Sequence, residues 1–203
     1  LFNLPGNHDA MGSMPHYHRY LGPDYYSFNV GGCHFIMLNC LSFDDRQKAW
    51  IAKDHAVAPK GAARIFALHF LPTRGQVEYL GTLGAAAVIS GHWHGHRVEQ
   101  GLGVLDINTP PLRFGGIDRH PRSFRIVDVK GGKVNNELRL GGFKHHAVVV
   151  SPRGTCAAQR GRLPVVLNAY DTRCEVTGVE CQVAGRRVSL RRASPWSWMG
   201  ELR

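Results

Sequence analysis

The sequence predicts an α/β fold followed by a smaller all-β part, and three observations carry that expectation. Two short runs, Arg64-Ile65-Phe66-Ala67-Leu68 and Ala85-Ala86-Ala87-Val88-Ile89, are apolar without interruption, as in strands covered on both faces of a sheet. Helical stretches lie before each run: Asp44-Asp45 opens one with acidic residues where the helix dipole favours them, and residues 77–83 form a shorter one that Gly84 ends. Beyond residue 143 the pattern changes to short alternating strands, with Val165, Leu167 and Ala169 on one face of one strand and Val179, Cys181 and Val183 on one face of another.

Taken in order, residues 2–4 read as the end of a strand, and Pro5-Gly6 forces a turn into Asn7-His8-Asp9. His16, Tyr17, His18 and Tyr20 fall among Gly12, Pro15, Gly22 and Pro23 and read as a loop. Residues 25–30 and 33–41 read as a hairpin around Gly31-Gly32, with His34 as a structural histidine inside it. Trp50 and Ile51 are expected to pack their helix on the sheet. Strands follow at Val98 and at residues 104–107, then a turn at Asn108-Thr109-Pro110-Pro111, then an irregular polar stretch over 112–121. Arg113 and His120 in that stretch read either as phosphate contacts or as residues that tie down a loop. Residues 123–129 and 133–140 form a hairpin across Lys130-Gly131-Gly132.

Composition narrows the class. The chain has 203 residues, 43% of them apolar and 20% charged, which suits one large domain or two small ones. No apolar run approaches the roughly 20 residues that span a bilayer. A net charge of +10 favours anionic partners, phosphorylated compounds or nucleic acid, although scattered Lys and Arg equally make a solvated basic surface. Nucleic acid has no further support, because no basic groove interleaved with aromatics is visible. Five cysteines show no paired metal spacing; Cys33 and Cys40 fall on opposite faces if their stretch is a strand, and Cys174 and Cys181 pair only if their segments form a hairpin.

Chemistry concentrates at the ends of the expected strands. Asn7, His8 and Asp9 deliver an amide oxygen, an imidazole and a carboxylate together; the other reading is ordinary helix capping. His69 follows the first apolar run. Ser90-Gly91-His92-Trp93-His94-Gly95-His96 follows the second, with Gly91 and Gly95 expected to supply the sharp backbone. Open α/β sheets place ligands at the carboxyl ends of their strands. His92 and His94 either bind metal or form a solvated His-rich turn.

Gly6-Asn7-His8-Asp9, then Ala67-Leu68-His69-Phe70-Leu71-Pro72, then Gly91-His92-Trp93-His94 together resemble the last three motifs of the calcineurin-like metallophosphoesterases, in order and spacing. The resemblance covers residues 1–143. It implies the metallophosphoesterase two-sheet β-sandwich flanked by helices, and metal-dependent hydrolysis of phosphoesters. It implies two divalent ions drawn from Mn, Fe, Zn or Ni, with Asn7, His69 and His92 on one and His94 on the other. His8 is then the catalytic histidine, oriented by Asp9, and the partner a phosphoester small molecule or phosphorylated substrate.

The family's earlier D-x-H and G-D-x-x-D motifs do not occur before Asn7. The expectation is therefore a catalytic domain over 1–143 whose first strands precede this sequence. A β-sandwich extension over 144–203, immunoglobulin-like and incomplete at its C-terminal end, is expected after it. Such a chain is expected to hold one metal weakly and turn over little. The second expectation is a phosphoesterase-fold binding module with an incomplete site. No compartment is assigned, and the β-sandwich leans mildly towards export by family analogy.

Overall fold

The two uninterrupted apolar runs lie side by side at the centre of a six-stranded sheet. In the computed structural model, residues 2–11, 14–154, 161–183 and 185–202 are described; Gly12, in the expected loop, lies outside them, as does Ala184 of a turn the sequence predicts at Ala184-Gly185. The strands are β1 (Tyr26–Val30), β2 (Cys33–Met37), β3 (Ala63–Ala67), β4 (Ala85–Ser90), β5 (Arg97–Gly101) and β6 (Val104–Asn108). Their order is β1-β2-β3-β4-β6-β5. β2, β3, β4 and β6 are parallel, and β1 and β5 pair antiparallel at the two edges.

Helices connect the parallel strands. The helix α1 (Asn7–Met11) and α2 (Met14–Leu21) precede the sheet; α3 (Asp45–Val57) links β2 to β3, and α4 (Arg74–Thr82) links β3 to β4. Asp44 caps α3 by accepting from the Gln47 N–H, and Thr73 and Gln76 form a reciprocal capping box that starts α4 three residues before the apolar stretch at 77. Ile36, Leu38, Ile51, Phe66, Leu68, Val77, Leu80, Val88 and Val104 pack between these helices and the sheet. Ile65, Ala87 and Ile107 are fully buried as well, so the strands are covered on both sides, as their unbroken apolarity predicts.

Internal contacts divide the chain into two units, Leu1–Pro111 with Phe124–Leu138, and Leu112–Ser123 with Arg139–Arg203. The first is a sheet-rich α/β unit holding the six-stranded sheet and most of a separate hairpin, β7 (Ser123–Lys130) with β8 (Lys133–Leu140). Gly131 and Gly132 turn that hairpin at φ 55° and 77°, as Gly31 and Gly32 turn β1 into β2 at 58° and 77°. The second unit holds one antiparallel sheet of β9 (His145–Ser151), β10 (Leu163–Asp171), β11 (Val179–Val183), β12 (Arg186–Arg192) and β13 (Ser197–Leu202), ordered β11-β12-β13-β10-β9. Val165, Ala169, Leu190, Trp198 and Leu202 form its core.

Three local expectations are corrected, and two readings left open are narrowed. Residues 2–4 are not a strand; Phe2 stacks on Phe28 and the Asn3 carbonyl accepts from Tyr26 Oη, so side chains rather than a ladder fix this segment. His16, Tyr17, His18 and Tyr20 lie on α2 rather than in a loop, with Tyr17 buried and Pro15 tolerated in the first turn. The strand after Gly32 ends at Met37, because Asn39 caps a 3₁₀ turn at Cys40–Ser42 through the Leu41 N–H. His120 is buried against the Trp196 ring, so it ties its loop down rather than facing an anion. Cys174 and Cys181 are both free thiols, since the hairpin pairs β11 with β12 and leaves Cys174 before it.

Candidate metal centre

Strand register brings two of the histidines together. β3 and β4 pair Ala67 with Ile89, and the ladder continues past both ends: Leu68 donates to the Ile89 carbonyl and Gly91 to the His69 carbonyl, each at 3.0 Å. His69 and His92 therefore leave neighbouring parallel strands at the same carboxyl edge. Asn7 arrives from the turn at Pro5-Gly6, where α1 begins. Asp9 fixes that turn reciprocally: its Oδ2 accepts from the Gly6 N–H at 2.7 Å, and the Gly6 carbonyl accepts from the Asp9 N–H at 3.1 Å.

Three donor atoms converge as a result. His69 Nε2 is 2.8 Å from Asn7 Oδ1 and 3.1 Å from His92 Nδ1, and His92 Nδ1 is 3.2 Å from Asn7 Oδ1. Three ligands of a six-coordinate cation, held at about 2.1 Å and at right angles, stand about 3.0 Å apart, whereas tetrahedral angles put them about 3.4 Å apart. The observed triangle matches the first case. One amide oxygen and two imidazole nitrogens are also a donor set of borderline hardness, suited to Mn, Fe, Ni or Zn. The residues present fit one divalent ion. Among the described residues, no third His, Cys, Asp or Glu atom lies within 4.8 Å of this histidine pair and so completes the shell.

Burial prepares the ligands. His69 is half-buried, and desolvation, aided by the neighbouring His92, lowers its pKa below the usual 6.5. The ring is thus held neutral, the form that coordinates metal. Phe70 stands edge-on to the His92 ring at 4.5 Å between centroids and limits its swing.

The loop that carries His92 is bent by the histidines themselves. Neither Gly91 nor Gly95 has a positive φ; His92 and His94 do, at 60° and 53°. The Trp93 N–H reaches the Gly91 carbonyl at 2.6 Å, so His92 is the centre of a γ-turn with positive φ, the rare and strained kind. The expectation that the glycines supply the bend fails for a physical reason. Gly91 is held in the ladder by His69, and the Gly95 carbonyl is pinned by Asn108 Nδ2 at 2.6 Å. The bend is left to the residues between.

Of the residues singled out in the sequence, the structure brings Asn7, His69 and His92 together. His8 is exposed on α1 beside Asn7, close enough to His69 to bear on its titration. No hydrogen bond joins Asp9 to His8; the bond Asp9 makes is the one to Gly6. His94 is exposed; it also bears on the titration of His69, but it forms no donor group within 4.8 Å with His69 and His92.

No family model matches the sequence, and no curated protein matches it. Among solved structures the chain is similar to vacuolar protein sorting 29 from Cryptosporidium parvum, at 15% identity over 99% of this chain and 68% of that one, with a TM-score of 0.33. A likeness that slight adds nothing to the site, whose chemistry stands on its own donors.

Two positioning residues escape a reading of the sequence. Asn108 looks like a turn residue, yet it is fully buried, accepts from Ser90 Oγ at 3.2 Å and clamps the far end of the histidine loop. Gly6 looks like half of a Pro-Gly turn, yet its bare α-carbon faces the His69 ring. Both roles depend on contacts between segments far apart in the chain, which the sequence pattern did not indicate.

Proposed function

We propose that this chain is the metal-binding part of a phosphoester hydrolase of the calcineurin-like kind, with Asn7, His69 and His92 as ligands of one divalent ion. The convergence of their three donor atoms within 3.2 Å, from three separate segments, carries the reading. A bound divalent ion supplies Lewis acidity towards a phosphoryl oxygen and lowers the pKa of water. Everything else is for the side chains. His69, kept neutral by burial, and His92, aimed by its γ-turn, hold their lone pairs ready without reorganisation. His8, exposed one residue after the ligand Asn7, protonates the departing alcohol oxygen. Asp9 orients it indirectly, by holding the turn from which Asn7 and His8 both project.

His94 belongs on this reading to a second ion whose remaining ligands lie outside the triangle. The six-stranded sheet is one layer of the family's sandwich and the β7–β8 hairpin part of the other, within a domain over 1–143. The β9–β13 sheet is one layer of an immunoglobulin-like extension over 144–203. The substrate class is a phosphoester small molecule or phosphorylated compound.

One observation favours a second reading, a phosphoesterase-fold binding module: the absence, among the described residues, of any carboxylate close enough to join His69 and His92. Hydrolysis separates the two. With Mn²⁺ present, the chain is expected to release nitrophenol slowly from an aryl phosphodiester or monoester, to lose that release in His92→Ala, and to lose about 10²-fold or more in His8→Ala. Release that is absent, or that both variants retain, rejects the hydrolase in favour of the binding module.

A further inference from the structure

A cavity of about 400 Å³ opens on the helix-covered face of the sheet, between α4 and the β5–β6 edge. Its walls include Pro72, Val77 and Leu102, and its charged residues include Arg97, Glu99 and Asp106. Glu99 and Asp106 are directly opposite each other on the paired strands, which puts two carboxylates on one face. The Asp106 side chain is only 5% exposed, and neither of its oxygens accepts a hydrogen bond from any described residue.

The charges do not balance. Arg97 serves both acids, bonding Glu99 through Nε at 2.9 Å while its Nη2 stands 3.3 Å from Asp106. Arg74, also at the cavity, is engaged with Glu78 at 2.9 Å on the outer side of α4. With Arg74 paired to Glu78, one guanidinium faces two carboxylates, and of these Glu99 reaches solvent while the Asp106 side chain is only 5% exposed. A buried carboxylate without hydrogen bonds is costly unless a donor reaches it.

We propose that this cavity binds a small organic cation, an amidinium, guanidinium or primary ammonium on an apolar stem. The cationic head sits on Asp106, and the stem lies against Pro72, Val77 and Leu102. The ligand supplies what the site lacks, N–H donors bearing a positive charge, and the apolar wall removes the stem from water. Size agrees, since small-molecule pockets begin at about 300 Å³. The site shares no residue with the metal ligands and does not depend on the proposed hydrolase.

Benzamidine is the probe, with neutral benzamide and anionic benzoate as shape-matched controls. Amide resonances of Val77, Gly101 and Leu102 are followed in the full chain during titration to roughly 10 mM, the range of weak single-fragment binding. Benzamidine is expected to shift them saturably, and the controls are not. Asp106→Asn, which keeps the shape, is expected to weaken binding by about tenfold or more. Arg97→Gln is expected to strengthen it, because the competing internal cation is gone. Absence of saturable shifts, equal binding of benzamide, or a loss of binding in Arg97→Gln with none in Asp106→Asn overturns the proposal.

Discussion

A methyl group on Gly6 would stand 3.1 Å from Cγ, Cδ2 and Cε1 of His69. That is tighter than ordinary side-chain packing, so the missing side chain at position 6 sets where the His69 ring rests. The φ of Gly6 is not positive, so alanine suits its backbone. Gly6→Ala is expected to leave the fold intact, displace the ring by a few tenths of an ångström and weaken metal binding about 10- to 100-fold. Competition against a chelating dye measures it.

The γ-turn at His92 predicts a conflict between stability and binding. A non-glycine residue with positive φ costs about 1 kcal/mol. His92→Gly is therefore expected to be more stable than His92→Ala by about 1 kcal/mol in urea unfolding, while both lose the metal. Equal stability of the two variants contradicts the strain.

Acid is expected to weaken the metal-free chain through His69. Its folded pKa lies below the unfolded value of 6.5, chiefly because of burial, so below that value the unfolded state binds more protons. The stabilising contribution is complete above 6.5 and is lost as pH falls from there towards the folded pKa. Urea midpoints of the native chain and His69→Gln, compared across that range, are expected to diverge on the alkaline side and converge on the acid side. Metal steepens the dependence, because protons compete for the same nitrogen.

His34 is the contrasting histidine. It is 3% exposed, with Nε2 at 2.7 Å from Asp54 Oδ2 and Nδ1 at 2.7 Å from Asn29 Oδ1, and Ser27 donates to the other Asp54 oxygen. These bonds tie β1 and β2 to α3. His34→Leu strands the Asp54 carboxylate and is expected to cost about 3 kcal/mol of stability. Metal affinity of the folded fraction, measured by calorimetry, is expected to stay unchanged.

Much of this was readable in the residues before any coordinate. Uninterrupted apolarity marked β3 and β4 as central, Gly31-Gly32 and Gly131-Gly132 marked their hairpins, and His34 was recognisable as structural. That Asn7, His69 and His92 belong together was implied by the resemblance of three motifs in order; adjacent parallel strands bring the two histidines to one edge, and the Pro5-Gly6 turn brings Asn7 to them. What stayed hidden depends on distance rather than pattern. The α2 segment, with Gly22 and Pro23 behind it, has the composition of a loop, yet it is a helix that buries Tyr17. The bend fell on His92 and His94 because both glycines were already bound by His69 and Asn108. Asp106 looked like one more strand residue, since its unmet charge arises only from sharing Arg97 with Glu99.

The central claim is that Asn7, His69 and His92 together hold one divalent ion. Calorimetric titration with Mn²⁺ of the native chain, Asn7→Ala, His69→Ala, His92→Ala and His94→Ala tests it most directly. The account predicts one ion per chain, an affinity lower by about tenfold or more in each of the first three variants, and little change in His94→Ala. Binding that survives loss of Asn7 and His69, or that disappears with His94 alone, would contradict it.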